Sequence, residues 1–219
     1  MSATLESFFP WVLPWVPGCP DPLADQAIRD ACIDFCTRTD LVTRIQPMDI
    51  TATQQDYIVV PPTDMDFTRV ISVWWQGKKL LPLPPTLVDS DVALRGVAIG
   101  NAVPQTGDPK WFFQKTPTDL GFSLYPIPDT TLVGGLTVKV SFQPSNTAAT
   151  VESILWENYS NDIACGALAT LMGMPGQQFT SPLAKEYSVR FEAAIIVGHN
   201  QAQFGKLPAA MRVQAQRFV

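Results

Sequence analysis

Apolar residues recur at two different periods along the 219-residue chain. Ala24, Ala27, Ile28, Ala31, Cys32 and Phe35 are spaced three and four apart, which marks one face of an α-helix. Asp21 is a good N-cap and Pro22 suits the first helical position, so a helix is expected to start there and fade over 37–40. From about 45 to 144 the period shortens. β-branched and aromatic residues come in short runs divided by Pro, Gly and Asp, as in strands joined by turns. The runs are 57–60, 67–76, 78–81, 111–115, 121–125 and 136–142, with Gln76-Gly77 placed to close a hairpin. Pro126, Pro128 and the Gly134-Gly135 pair read as a turn region, and 82–109 as a long loop with at most a short helix, suited to contacts rather than core. Helical spacing then returns. Thr150 is expected to cap a helix reaching Met172, with Leu155, Tyr159, Ile163, Ala167 and Leu171 inward and Trp156 beside them. Gly173, Pro175 and Gly176 stop it. Ser181 and Pro182 open the next helix, whose stripe is Ala184, Tyr187, Phe191, Ala194, Ile195 and Gly198, and which should end near Gly205.

No helix of this set can bury its stripe alone. The expected fold is therefore α+β: a discontinuous α-helical bundle, from 21–45 and 150–205, interrupted by a β-rich insert at 46–149. Short strands at this spacing suggest an antiparallel sandwich or barrel-like insert. Residues 1–20 form an aromatic and proline-rich arm, whose Phe8, Phe9, Trp11 and Trp15 must bury against the protein's own fold or a neighbouring subunit. Residues 206–219 form a weakly amphipathic tail.

Composition narrows the function. Charged residues make up 16%, against roughly 25% in an average soluble protein, so neighbours or a large core cover much of the chain. The 20 prolines are dispersed rather than gathered in a linker, which fits many fixed turns. Net charge is −5, unlike the basic face of a sequence-specific DNA binder. The sign reverses at the end: no acidic residue follows Glu192, while Lys206, Arg212 and Arg217 do. That tail reads either as solvated or as a docking segment. The N-terminal stretch lacks a basic start and is broken by Pro10, Pro14, Pro17 and Pro20, so neither a signal peptide nor a membrane helix is expected there, and no membrane partner is expected.

Candidate chemistry is sparse. His199 is the single histidine, and without a GxSxG elbow it reads as a residue favoured by the helix C-terminus. Cys19, Cys32, Cys36 and Cys165 do not form a disulfide framework and read as free thiols. A zinc site from Cys32, Cys36, Cys165 and His199 would lack the tight ligand pairs such sites use. The pairs Asp64/Asp66 and Asp89/Asp91 lack the glycine and distal glutamate of a calcium loop. Phosphate-cradling motifs are missing. Trp74-Trp75 suggests stacking on single-stranded nucleic acid, but adjacent strand residues face opposite ways. No catalytic, cofactor or metal residues are therefore expected, and no enzyme.

Four stretches, in order, resemble the head-to-tail adaptor (connector) proteins of tailed bacteriophages. PGCPDPLADQAIRDACIDFCTRT is similar to their opening helix. DYIVVPPTDMDFTRVISVWWQGKKLLP resembles their first strands, ending in a hydrophobic-x-GK turn. GFSLYPIPDT matches a strand ending in a Tyr-Pro-x-Pro corner, and SNDIACGALATLMGMPGQQFTSPLAKEYSVRFEAAI resembles the paired C-terminal helices with a Pro-Gly break. The resemblance runs from Pro17 to about Gly198.

The resemblance implies a structural virion protein of the neck, assembled in the host cytoplasm. It implies a ring of copies, usually a dodecamer, stacked on the portal protein. The ring would extend the channel for double-stranded DNA without sequence-specific binding and offer a platform to tail or nozzle proteins. A modest acidic excess suits a channel that passes DNA without gripping phosphate. The tail's basic, partly apolar character makes Lys206, Met211, Arg212, Arg217 and Phe218 the expected portal contacts. Two other readings stand beside this one: a different neck or tail-completion protein, and a carbohydrate-binding β-sandwich module.

Overall fold

A computed structural model describes residues 2–83, 106–114 and 120–204. The protein is mixed α+β with largely antiparallel sheets, in the order β1 (Ser2–Thr4), α1 (Phe9–Val12), α2 (Asp21–Thr39), β2 (Thr43–Ile50), β3 (Asp56–Ile58), β4 (Met65–Trp75), β5 (Lys78–Lys79), β6 (Leu81–Pro82), β7 (Trp111–Phe113), β8 (Gly121–Tyr125), β9 (Leu132–Pro144), β10 (Thr150–Glu152), α3 (Ser153–Met172) and α4 (Ala184–Phe204).

The helices follow their apolar stripes. All six stripe residues of α2 are buried. The helix begins one residue earlier than expected: Asp21 is its first residue, Pro22 its second, and Pro20 takes the extended cap position. Asp21 then acts through its charge at the positive end of the helix rather than as a side-chain cap. At the other end Asp40 adopts φ 53° and donates its N–H to the Cys36 carbonyl at 3.0 Å. The start of α4 lies later than expected: Ser181 and Pro182 belong to a turn before the helix, in which the Ser181 hydroxyl oxygen accepts the Leu183 N–H at 3.3 Å and its carbonyl accepts the Ala184 N–H at 3.2 Å, and α4 begins at Ala184. The start of α3 also differs. Thr150 lies in β10, which pairs antiparallel with β1, and the helix begins only at Ser153.

Two glycines set how closely the helices meet. A Cβ on Gly166 of α3 would lie 2.8 Å from the Phe191 ring of α4. One on Gly198 of α4 would lie 2.9 Å from the Phe35 ring of α2. Around them Phe35 meets Tyr159 at 5.0 Å and Phe191 at 6.2 Å between ring centroids. Tyr159 departs from helical geometry (φ −132°, ψ 17°), and its hydroxyl donates to Gln201 Oε1 at 2.5 Å, tying α3 to α4.

Two four-stranded sheets make up the β region, in the orders β2-β9-β4-β5 and β3-β8-β7-β6. Neither closes on itself among the described residues, so they form no closed barrel there. One pairing, β6 with β7, is parallel. The centre of the first sheet is β9, thirteen residues long and paired with both β2 and β4. Gly134 and Gly135, expected in a turn, lie inside this strand. Gly134 has φ 64°, and a Cβ on Gly135 would approach Ile50 Cδ1 to 2.7 Å, where the β2 register shifts. The Gln76-Gly77 hairpin forms as expected, both residues having positive φ as a tight reverse turn needs. Strand β2 itself was not among the expected runs. Pro47 interrupts its sequence, and β2 tolerates it as an edge strand.

One continuous buried cluster links α2, α3 and α4 to strands of both sheets. The N-terminal arm joins it as short helical turns. Leu5, Phe8, Val12 and Val16 are buried, and Phe8 packs edge-on against Trp156 at 5.3 Å. Full burial of such side chains is worth about 1.5–3 kcal/mol each, enough to hold the arm down. The arm's tryptophans are not buried against the protein's own fold: Trp11 and Trp15 remain 45% and 58% exposed.

Candidate functional site: exposed apolar faces

The groups that could carry chemistry are scattered or enclosed. Cys32, Cys36 and Cys165 are buried thiols, and burial pushes each of them up from the ordinary thiol range. His199 Nε2 meets Gln203 Nε2 at 2.7 Å, and its Nδ1 is enclosed among the described residues without a hydrogen-bond partner. Among the described residues no three His, Cys, Asp or Glu side chains gather as metal ligands. Asp64 sits at a turn with φ 62° and accepts the Thr150 hydroxyl at 3.2 Å, while Asp66 points to solvent from β4. Asp89 and Asp91 lie outside the described residues. Trp75 is buried and Trp74 only partly so, as opposite faces of one strand require.

A cleft of about 300 Å³ lies beside β1 and β10, lined by Ser2, Arg44, Asp64, Thr150 and Glu152 among others. Its charges are engaged: Arg44 pairs with Glu152, and Asp64 holds Thr150. Elsewhere Arg69 pairs with the largely buried Asp40, and Arg38 with Glu192, whose carboxyl is held below its usual range by that hydrogen bond. Burial alone raises the Asp162 carboxyl above the usual range. For Asp25 burial also dominates: Glu6 and Asp21 add to the rise and Arg29 opposes it.

Among the described residues, exposed apolar surface is the feature that stands out. On α4 the inward stripe is Tyr187, Phe191, Ala194, Ile195 and Gly198. Directly opposite, Val189, Ala193, Ile196 and Val197 face solvent, with the three larger side chains 62%, 63% and 52% exposed. A second set lies on strands at the sheet edges. Ile45 of β2, Ile58 of β3 and the following Val60 are each more than three-fifths exposed. A third is the pair Trp11 and Trp15, the latter edge-on to Tyr187 at 6.5 Å, with Arg190 over the same tyrosine ring.

The sequence reading identified the inward stripe of α4 and missed the outward one. The signal was present in the run Ala193-Ala194-Ile195-Ile196-Val197: five consecutive apolar residues are more than one face of a helix can bury. The expected portal contacts Lys206, Met211, Arg212, Arg217 and Phe218 lie outside the described residues, as does most of the 82–109 loop. A scan of protein-family models finds no match to the chain, and a search of curated proteins finds none either.

Proposed function

We propose that the protein is a head-to-tail adaptor of a tailed bacteriophage, a structural subunit that assembles as a ring between the portal and the tail. The observation that carries this reading is the apolar surface of α4 and of the edge strands. Monomeric proteins rarely leave contiguous apolar patches uncovered, and such patches mark sites of association. In a ring, head-to-tail contacts between identical subunits close when the rotation closes, and each copy then needs two different contact surfaces. The helix and the strand edges supply two.

The sequence resemblance supports the same reading, with a discontinuous helical bundle and an inserted β unit as its expected plan. In this reading the ring, a dodecamer, extends the channel for double-stranded DNA in the virion neck. The tail at 206–219 meets the portal through Lys206, Met211, Arg212, Arg217 and Phe218. The β-rich part faces tail proteins. No cofactor or catalytic step enters.

Mass measurement and two-dimensional class averaging of the purified protein, alone and with its portal, test this. A ring, or a monomer converted to a ring by the portal, is the expected result. A monomer that ignores the portal overturns the reading. Deleting 206–219 is expected to abolish portal binding while leaving the melting temperature in place. Unchanged portal binding by the truncated chain overturns the role given to the tail.

A further inference from the structure

We infer that the cleft beside β1 and β10 seats the chain's own C-terminal segment, with the Lys206 ammonium group between Asp64 and Glu152.

The cleft suits a cation. Its charged lining is two carboxylates and one guanidinium, accompanied by the hydroxyls of Ser2, Thr63 and Thr150. Arg44 binds Glu152 through Oε1, and the Thr150 hydroxyl binds Asp64 through Oδ2. Among the described residues these bonds leave Glu152 Oε2 and Asp64 Oδ1 for a further donor. An ammonium group has three donors and no acceptor, which matches two carboxylate oxygens flanked by hydroxyls. The Glu152 side chain is only 20% exposed, so salt screens a charge beside it less than one on open surface.

The fold delivers the segment to this place. Helices α3 and α4 run antiparallel: Gly166 meets Phe191, and Tyr159 bonds Gln201. Ser153 precedes Tyr159 by about 9 Å of helix, and Phe204 follows Gln201 by about 4.5 Å. The last turn of α4 therefore lies beside the first turn of α3, and β10, a wall of the cleft, ends where α3 begins. Packed helix axes are about 8–10 Å apart. Lys206 stands two residues beyond Phe204, about 7 Å of extended chain, and its long stem adds to that reach. It is the first Lys or Arg beyond α4, in a segment that holds no acidic residue. A second line places Glu152 at the same end of the helices. The Cys36 thiol, raised chiefly by burial, is raised further by Cys32 and Glu152, and Thr39, just beyond Cys36, packs on Gly198 of α4.

The inference does not rest on the adaptor reading. Where both hold, the cleft keeps Lys206 covered until the portal draws it out.

Zero-length carbodiimide coupling tests it in the full chain, because the reagent joins an amine to a carboxylate in contact with it. Glu157, exposed in the second turn of α3, is the internal control. Lys206 is expected to couple to Asp64 or Glu152 at least roughly tenfold more than to Glu157, since seating raises the effective concentration of the reacting groups. The product should have the mass of one chain, and its yield should not depend on protein concentration. As a second readout, Lys206→Gln should speed hydrogen exchange at 150–152 roughly two- to fivefold, the range of a partly exposed ion pair. Coupling chiefly to Glu157, or exchange indifferent to Lys206→Gln, overturns the inference. Coupling that joins two chains and rises with concentration also overturns it, and gives the cleft to the tail of a second copy. Portal-bound rings from a protein that fails the coupling test would sink the seat and leave the adaptor reading standing. Coupling as expected in a protein that ignores the portal would do the opposite.

Discussion

The two faces of α4 carry similar numbers of apolar residues and have opposite fates. The inward face is closed around an absence of side chain. Gly198 admits the Phe35 ring and Gly166 admits the Phe191 ring, so three helices meet at distances that one extra carbon would prevent. The outward face has ordinary Val, Ala and Ile side chains, which are exposed and have nothing against them among the described residues. Hydrophobicity therefore does not say which face is core. Shape complementarity does: only one face has glycines where a neighbouring ring must enter.

Substitutions sharpen that contrast. Phe191→Ala removes a ring that fills the seam among α2, α3 and α4, and should cost about 3–5 kcal/mol in chemical denaturation. Gly198→Ala or Gly166→Ala adds a single carbon where an aromatic ring already stands, and should cost about 1–3 kcal/mol. Should either glycine variant prove neutral, the rings have room to move and the close approach does not set helix spacing. Ile196→Ser and Val189→Ser, on the outward face, should change unfolding free energy by no more than about 0.5 kcal/mol. A loss of several kcal/mol there would mean that the face is core after all.

The smallest effect concerns Asp162, on α3. Its carboxyl is raised by burial, so the folded state holds its proton to higher pH than the unfolded chain does. The unfolded state binds fewer protons through that window, and stability falls as pH rises through it. Asp162→Asn should therefore melt slightly higher than the parent at pH 7. The difference should vanish below the ordinary aspartate range, where both forms are neutral. A variant that melts lower at pH 7 would show that the carboxylate holds something in place.

These contrasts also show what the chain made legible. The stripes of α2, α3 and α4 could be read because period 3.6 survives in their sequences, and the Gln76-Gly77 turn because Gly77 readily supplies positive φ between two apolar runs. Three features could not be read. Pro47 disguises β2, since a strand interior excludes proline unless the strand lies at an edge, and edges are a property of the whole sheet. Thr150 resembles a helix cap locally, but the distant strand Ser2–Thr4 captures its backbone first. Gly134-Gly135 resembles a turn, yet serves the register shift between β9 and β2. In each case a partner far along the sequence overrules a local preference. The outward stripe of α4 is different: it was visible as an excess of apolar residues, and only its exposure needed the structure.

The pairing of β1 with β10 has a mechanical consequence. Ser2 lies opposite Glu152, and Ser153 begins α3. A pull on the first residues is therefore borne by a ladder of three residue pairs, and passes from there directly into the first turn of α3. The arm behind it is anchored at Phe8, Val12 and Val16, so the load divides between a strand that can peel and a plug that must be withdrawn. A tag or tether fused at the N-terminus would strain the helical seam before it reached either sheet, and a tether leaving from the hairpin at Gln76-Gly77 would strain the sheet first.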